Sequence, residues 1–350
     1  MTQPTVSILI PMRNEQDFIT ECLTSLRGQD YPAECIEILV MDGESTDRSC
    51  EVVNGIAAED PRVQLITNPG RCQASAMNLG IEQARGEIIV RADAHAIYGP
   101  TYVSTCVKHL AEGKAENVGG LQRGTGTTPF GRAVAAALNT PLGAGNAPYR
   151  LATAVRYADT VWLGAWYRKT LVELGGYDVS MVPNEDYELN YRLRERGGRI
   201  LLDPSLPSTY YTRSSPGRLW RQYFRYGKAK VRTLRAHPDS LVLRQLLPPV
   251  LLVTLAALCA LLPLSPLPLA GIGGLYLLAI IIGSVQAART SGWACLPFLP
   301  FIFCTIHFAW SIGFIWEMFR LRTFPIHLRH LPASERVVQQ GTTDKTPATR

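Results

Sequence analysis

Short apolar runs alternate with amphipathic stretches over the first ninety or so positions. TVSILIP (5–11) is predicted as a strand, and NEQDFITECLTSLRG (14–28) as a helix with Asn14 as its candidate cap. IEILVMD (36–42) is a second expected strand, followed by a helix with Ser45, Thr46 and Asp47 near its start. RVQLITN (62–68) reads as a third strand and CQASAMNLGIEQARG (72–86) as a helix closed by Gly86. EIIV (87–90) then reads as a fourth strand. Such a series implies an α/β domain with a mostly parallel sheet and right-handed crossovers. Ligands of these sheets bind beyond the carboxyl ends of the strands, so Asp42 and Asp93 should face one crevice.

The pattern changes in the last third. No charged residue occurs between Arg244 and Arg289, room for two apolar helices of the roughly 20 residues that a bilayer core requires. A further stretch, 294–316, carries only His307 as a titratable group. Membrane segments are expected near 246–264, 267–286 and 294–316, the last interrupted by Pro297 and Pro300, so that a re-entrant or interfacial course is the alternative to a crossing there. Three crossings from the cytoplasm would leave the tail outside. Arg320, Arg322 and Arg329, however, favour the cytoplasmic side. The tail beyond Pro332 is polar and expected to be disordered.

Charge sharpens this division. The net charge of +6 is concentrated between Arg213 and His237, where eight Lys or Arg occur without an acid. Plotted as a helix, Trp220, Phe224, Gly227, Val231 and Leu234 form one stripe, with Arg218, Arg221, Arg225, Lys228, Arg232 and Arg235 beside it. Such a helix is expected in the membrane interface, apolar side down, with cations at the lipid headgroups. Gln222 and Arg225, with Tyr226, would look toward the crevice. No nucleic-acid recognition motif accompanies the basic run, so nucleic acid is not expected as a partner. The expected organisation is a cytoplasmic domain over 1–212, a basic interface helix over 213–240, a transmembrane region over 241–320 and a polar tail over 321–350. The chain opens without a basic, long-apolar leader, which fits a cytoplasmic domain on a multi-pass inner or plasma membrane protein. Eight cysteines without C-x-x-C pairing suggest reduced thiols, with no disulfide framework or zinc site.

Neither a G-x-G-x-x-G turn nor a P-loop follows the first strand. Each strand end instead carries polar groups. Arg13, Asn14 and Glu15 follow the first, Asp42, Gly43 and Glu44 the second, Asn68, Gly70 and Arg71 the third, and Asp93 and His95 the fourth. Carboxylates with arginines between them suit a nucleotide, the acids taking ribose or base hydrogens or a metal, the cations taking phosphate. Asp-x-His at a strand end suits Mg²⁺ or Mn²⁺ bridging two phosphates. Taken alone, these groups could equally serve only their turns.

VSILIPMRNE, ILVMDGESTD and NPGRCQASAMNLGIEQARGEIIVRADAH together resemble glycosyltransferase family 2 with the GT-A fold, over roughly residues 5–235. The membrane-bound exopolysaccharide branch, similar to succinoglycan glucosyltransferases, is the nearer match. The resemblance implies an inverting glycosyltransferase in which Pro11, Arg13, Glu15, Asp42, Gly43, Arg71 and Asp93 hold a nucleotide-diphosphate sugar. Asp93 and His95 would hold the divalent cation, although the family's Asp-x-Asp is here Asp-Ala-His. In VPNEDYELNYRLRERGG (182–198) the resemblance makes Asp186 the catalytic base of the Glu-Asp motif, whereas the residues alone read equally as acids at a helix start. Trp162, Trp166 and Tyr167 of the acceptor-side loop are candidates to stack on sugars. QYFRY resembles the Q-x-x-R-W motif of membrane synthases, with Tyr226 replacing Trp. Glu185, Trp162, Gln222, Arg225 and Tyr226 are thus implied on the acceptor and diphosphate side, with a lipid-linked oligosaccharide as acceptor and membrane lipids as partners. A polyprenyl-phosphate sugar synthase and a non-catalytic tethered sugar-nucleotide binder remain alternatives.

Overall fold

The computed structural model describes residues 3–322 other than Asn146; the predicted tail lies outside them from position 323 onward. The predicted strands become β1 (Val6–Met12), β2 (Ile36–Asp42), β3 (Val63–Thr67) and β4 (Ile88–Arg91), parallel and in the order β3-β2-β1-β4. The intervening helices are α1 (Ile19–Arg27), α2 (Ser49–Glu59) and α3 (Gln73–Gln83). Asn14 does not cap α1. It precedes the helix and adopts φ 57°, and its Oδ1 accepts a hydrogen bond from the Thr46 amide at 2.8 Å. Nor does Gly86 close α3, which ends at Gln83. A Cβ at position 86 would stand 2.5 Å from the Ser7 nitrogen, so Gly86 lets the chain pass against β1.

Both faces of these strands are buried. Ile8, Ile10, Ile38 and Val40 point into one core with Ile19, Leu23 and Leu26 of α1 and Val53 of α2. Leu9, Leu39 and Met41 point into the other with Ala74, Met77 and Ile81 of α3. This is the period-two alternation of a strand covered on both sides, which reads in sequence as a continuous apolar run. Each such side chain contributes about 1.5–3 kcal/mol on burial.

After β4 the chain adds β5 (Ala96–Tyr98), α4 (Tyr102–Ala111), β6 (Asn117–Thr125), α5 (Pro129–Leu138), α6 (Pro141–Ala144), α7 (Pro148–Leu151), β7 (Arg156–Tyr157), β8 (Trp162–Tyr167), α8 (Arg168–Leu174), α9 (Glu185–Glu195) and β9 (Ile200–Tyr211). The sheet continues β4-β8-β6-β9-β5, with β7 on β9. β8 runs antiparallel to β4 and β6, while β6 and β9 are parallel. The sheet is therefore mixed beyond its parallel N-terminal half.

Four helices complete the described chain: α10 (Pro216–Ala236), α11 (Leu247–Ala260), α12 (Leu267–Ser291) and α13 (Leu299–Leu321). The last three lie in segments long and apolar enough to cross a membrane. The C-terminal part of the apolar stripe of α10 is covered within the chain, while Trp220 stays exposed. Gly227, Val231 and Leu234 are buried against α13, in a cluster with Phe314. A Cβ on Gly227 would stand 2.1 Å from the Trp310 carbonyl oxygen, and one on Gly313 2.1 Å from that of Phe224. Two glycines thus let the backbones of α10 and α13 touch. Glu317 of α13, fully buried, closes the seam by accepting from Arg232 Nε at 2.9 Å and Arg320 Nε at 2.9 Å, with Lys228 Nζ at 3.6 Å.

Candidate active site at the carboxyl edge of the sheet

The four parallel strands end together, and their following loops interlock. The Asp42 carboxylate accepts from the Ser45 amide and hydroxyl, the latter at 2.5 Å, and so braces the turn after β2. Ser45 Oγ accepts from the Asn14 amide at 2.9 Å, and Ser49 Oγ from the Glu15 amide at 2.8 Å. Arg71 pairs with Glu44. Asn14, Glu44 and Arg71, one after each of β1, β2 and β3, all sit at positive φ of 52–57°. Non-glycine residues at such angles carry strain that a surrounding network must hold, and they cluster at functional sites. A hollow of about 180 Å³ lies here, lined by Pro11, Arg13, Glu15, Gly43, Asn68, Arg71, Asp93 and His95, among others. Asp42, buried beneath its turn, is not among the lining residues.

Gln73, Asp93 and His95 also line a larger cavity of about 450 Å³. Gln73, at the start of α3, donates to Asp93 Oδ1 at 3.1 Å. The Asp93 amide donates to the Tyr98 hydroxyl oxygen at 2.7 Å, which fixes the loop after β4. His95 Nδ1 lies 3.1 Å from Glu15 Oε1. Burial alone would lower the pKa of His95, yet the Glu15 hydrogen bond and the nearby Asp93 charge raise it overall.

The wall opposite the strand ends is organised by Arg91, the last residue of β4 and 2 % exposed. Its guanidinium pairs with Asp186 and stands 3.5 Å from Asp93 and 3.8 Å from Glu185. It also lies over the Tyr177 ring, 5.8 Å from the centroid. Asp186 and Glu185 open α9, where an N-terminal dipole favours acids. The preceding Asn184 donates to Thr233 of α10 at 2.6 Å. Desolvation pushes the Asp186 carboxyl up to about 7, Arg91 pulling it down and Glu185 and Asp93 adding to the rise. Glu185, buried and with Oε2 unpartnered, is raised chiefly by the same desolvation. One buried cation among three carboxylates leaves an excess of negative charge, a setting that accepts a further cation.

The remaining candidates fall on both sides of the cavity wall. Trp162 and Tyr226 line it, Trp162 standing edge-on to Tyr210 with centroids 5.7 Å apart. Gln222 donates to the Tyr226 hydroxyl at 2.9 Å and to that of Tyr210 at 3.3 Å, holding both rings. Arg225 is exposed and outside both hollows. Trp166 is a core side chain, 2 % exposed, which removes it from a sugar-stacking role, and Tyr167 is half-buried against the other core and outside both hollows.

The sequence reading missed Arg91, although a charged residue ending an apolar strand beside Asp93 was a usable signal. It also missed Tyr210, Arg150, Arg213, Lys230 and Arg244 on the same cavity. Burial lowers the Lys230 ammonium to about 7; its Nζ donates to the Ser240 carbonyl at 2.7 Å and lies 4.3 Å from the centre of the Tyr187 ring. Arg150 Nη1 is buried without a partner. Ile306, His307 and Trp310 of α13 and Pro248 of α11 line the same cavity, so it extends from the strand ends to the apolar helices.

Among the described residues no three His, Cys, Asp or Glu side chains converge as a self-sufficient metal cage. Asp93 and His95, two donors beside a hollow, match ions such as Mg²⁺ that take one or two protein ligands and complete their shell with phosphate and water.

The family model described as "Glycosyl transferase family 2" matches residues 7–169. The chain is 30 % identical over 334 residues to the succinoglycan biosynthesis protein ExoA of Rhizobium meliloti, covering 92 % of this chain and 97 % of that protein. It is 28 % identical over 326 residues to the dolichyl N-acetyl-alpha-D-glucosaminyl phosphate 3-beta-D-2,3-diacetamido-2,3-dideoxy-beta-D-glucuronosyltransferase of Methanococcus voltae, covering 89 % and 97 %. The mannosyltransferase PcManGT from Pyrobaculum calidifontis, solved with GDP-Man and Mn²⁺, is similar in fold with a TM-score of 0.64 at 22 % identity, covering 91 % of this chain and 88 % of that one.

Proposed function

The chain belongs to glycosyl transferase family 2 and is a glycosyltransferase, and from that premise we propose that it moves a sugar, with inversion, from a nucleotide-diphosphate donor to a hydroxyl of a lipid-linked saccharide at a membrane surface. The observation that carries this reading is the shared guanidinium of Arg91, which ties the candidate base Asp186 to the candidate donor ligand Asp93 on one cavity.

The smaller hollow takes the nucleotide, with Pro11, Arg13, Glu15, Gly43 and Arg71 around it and Asp42 bracing the floor. Asp93 and His95 would hold a divalent ion, which when bound would supply positive charge beside the diphosphate. His95 would have to exchange its contact with Glu15 for the ion. Asp186, ionised, accepts the proton of the acceptor hydroxyl, whose oxygen then attacks the anomeric carbon in line. Arg91 holds that carboxylate charged and oriented. Glu185 lies behind it, and Trp162 and Tyr226 present ring faces and edges to the sugars. Gln222 keeps Tyr226 in position.

The lipid-linked acceptor is supported by the course of the cavity. It reaches α11 and α13 and carries Arg150 and Arg213, cations suited to a lipid phosphate. The name of the Methanococcus relative describes an acceptor sugar borne on dolichyl phosphate, and that of the Rhizobium relative describes succinoglycan, which favours an exopolysaccharide or other cell-surface glycan as product. The catalytic domain works on the cytoplasmic side. A panel of radiolabelled nucleotide sugars incubated with membranes holding the full chain tests the reading. Label from one donor should move into the organic extract when Mn²⁺ or Mg²⁺ is present; label that stays water-soluble with every donor overturns the lipid-linked acceptor.

A further inference from the structure

The three apolar helices differ in what they touch. α13 rests on the catalytic domain along its whole length. Phe298, just before it, meets the Phe130 ring edge-on at 6.3 Å. Phe303 lies against Gly143, and His307 Nε2 donates to the Leu142 carbonyl at 3.0 Å. Trp310 and Phe314 receive Gly227, Gly313 receives Phe224, and Glu317 receives Arg232. From Phe298 to Glu317 the helix runs about 30 Å, the thickness of a bilayer core. Along that span it packs most heavily on α10, with α5, α6 and the hairpin helices α11 and α12 also against it, and α10 carries exposed Arg218, Arg221, Arg225 and Arg235 that belong at or above the headgroups. A helix upright in the bilayer could not hold such partners at every turn. Its outward side, with Phe301, Ile312 and Trp316 exposed, is apolar.

α11 and α12 form a hairpin whose base is tied to the catalytic domain, which shortens the part free to enter a bilayer. Arg244 is fixed inside the domain by its 2.9 Å bond to Asp159, and Pro248 lines the catalytic cavity. From Arg244 to the tip at Leu264 the chain extends at most about 30 Å as helix, no more than the core and short of the headgroup layers beyond it. The core alone is about 30 Å, and the headgroup layers bring the total to about 40–45 Å. On the return arm Ile280, Ala287 and Ala288 are already buried with α5, and Gly283 against Leu142. The tip between the arms, 261–266, reads LLPLSP and has no charge, and Leu264 is 83 % exposed. A tip that emerged on the far side would set bare leucines in water.

We propose that this chain enters the bilayer from one side only. α13 lies flat at the interface, and the hairpin α11–α12 dips into the near leaflet and returns without crossing. The partner of this surface is lipid, and the inference rests on the reading that these helices meet a bilayer at all. Both ends of the hairpin, marked by Arg244 and Arg289, stay at the headgroups, and the arginines after α13 stay on the catalytic side. The opposition between three crossings and a basic C-terminal flank then disappears.

The test uses the full chain with Ser265→Cys in a Cys259→Ser background and a tag at the C-terminus. In sealed cells, a membrane-impermeant maleimide should fail to label position 265 from outside, and a tag-directed antibody should react only after permeabilisation. In vesicles, a fluorophore at position 265 should be quenched most by lipids labelled deep in their acyl chains. Labelling of position 265 from outside overturns the proposal in favour of a full crossing by the hairpin. An external tag overturns it in favour of a crossing by α13. A fluorophore neither labelled nor quenched means that a second copy covers the tip, and overturns it too. Release of the whole chain by an alkaline carbonate wash would instead overturn the membrane reading on which the proposal stands.

Discussion

The two ends of the crevice are built in opposite ways. The strand-end side draws on loops close in sequence, and nearly every polar group there already has a partner: Asn14 with Thr46, Asp42 with Ser45, Arg71 with Glu44. The far side draws on the end of β4 together with α7, β8, α9, α10 and α13, and there Arg91 Nε, Arg150 Nη1 and Glu185 Oε2 are buried with none. A prebuilt network suits a ligand class shared by many enzymes, such as a nucleotide diphosphate. Buried polar atoms without partners are costly unless a ligand satisfies them, which suits a side shaped for one acceptor.

Mutations should split along that line. The largest effect is expected for Asp186→Asn, a loss of about 10²–10⁴-fold in transfer rate with donor affinity kept. Transfer of labelled sugar and donor calorimetry measure the two separately, and normal turnover would point to an acceptor that is already an anion. Next, Asp93→Ala should abolish the part of donor binding that depends on Mn²⁺, seen as identical calorimetric titrations with and without the ion. Third, Gly313→Val should overpack the α10–α13 seam at a cost of about 1–3 kcal/mol, lowering the midpoint of thermal unfolding in detergent and weakening acceptor use more than donor binding. The smallest expected effect is in pH. Because desolvation raises Asp186 to about 7, its ionised form is lost as pH falls through that value. Below it kcat/KM should drop by about tenfold per unit, and this acidic limb should vanish from the residual rate of Asp186→Asn.

The same division governs what the sequence discloses. β1 to β4 were legible because strands buried on both faces read as unbroken apolar runs, and the groups at their carboxyl ends follow from topology. Local geometry was harder to read. Asn14 looks like a helix cap, yet it takes a left-handed turn, because its side chain is needed by the neighbouring loop. Trp166 and Trp162, four apart, would share a face of a regular strand, but the left-handed Leu163 breaks the alternation and Trp162 packs toward one core, Trp166 in the other. Arg91 and Lys230 owe their character to burial by segments distant in the chain, which periodicity within one helix or strand does not record. The stripe on α10 was recognised as apolar, but nothing in its own pattern distinguishes a lipid from α13 as the surface covering it.

The glycine seam between α10 and α13 also decides how this enzyme can be handled. A chain cut before Leu247 would lose the cover over Val231 and Leu234 and the carboxylate that faces Arg232. What remains would be a greasy, strongly basic rod on an otherwise soluble domain, prone to clump with itself and with any polyanion. A water-soluble version therefore calls for redesigning that rod, and shortening the chain will not suffice.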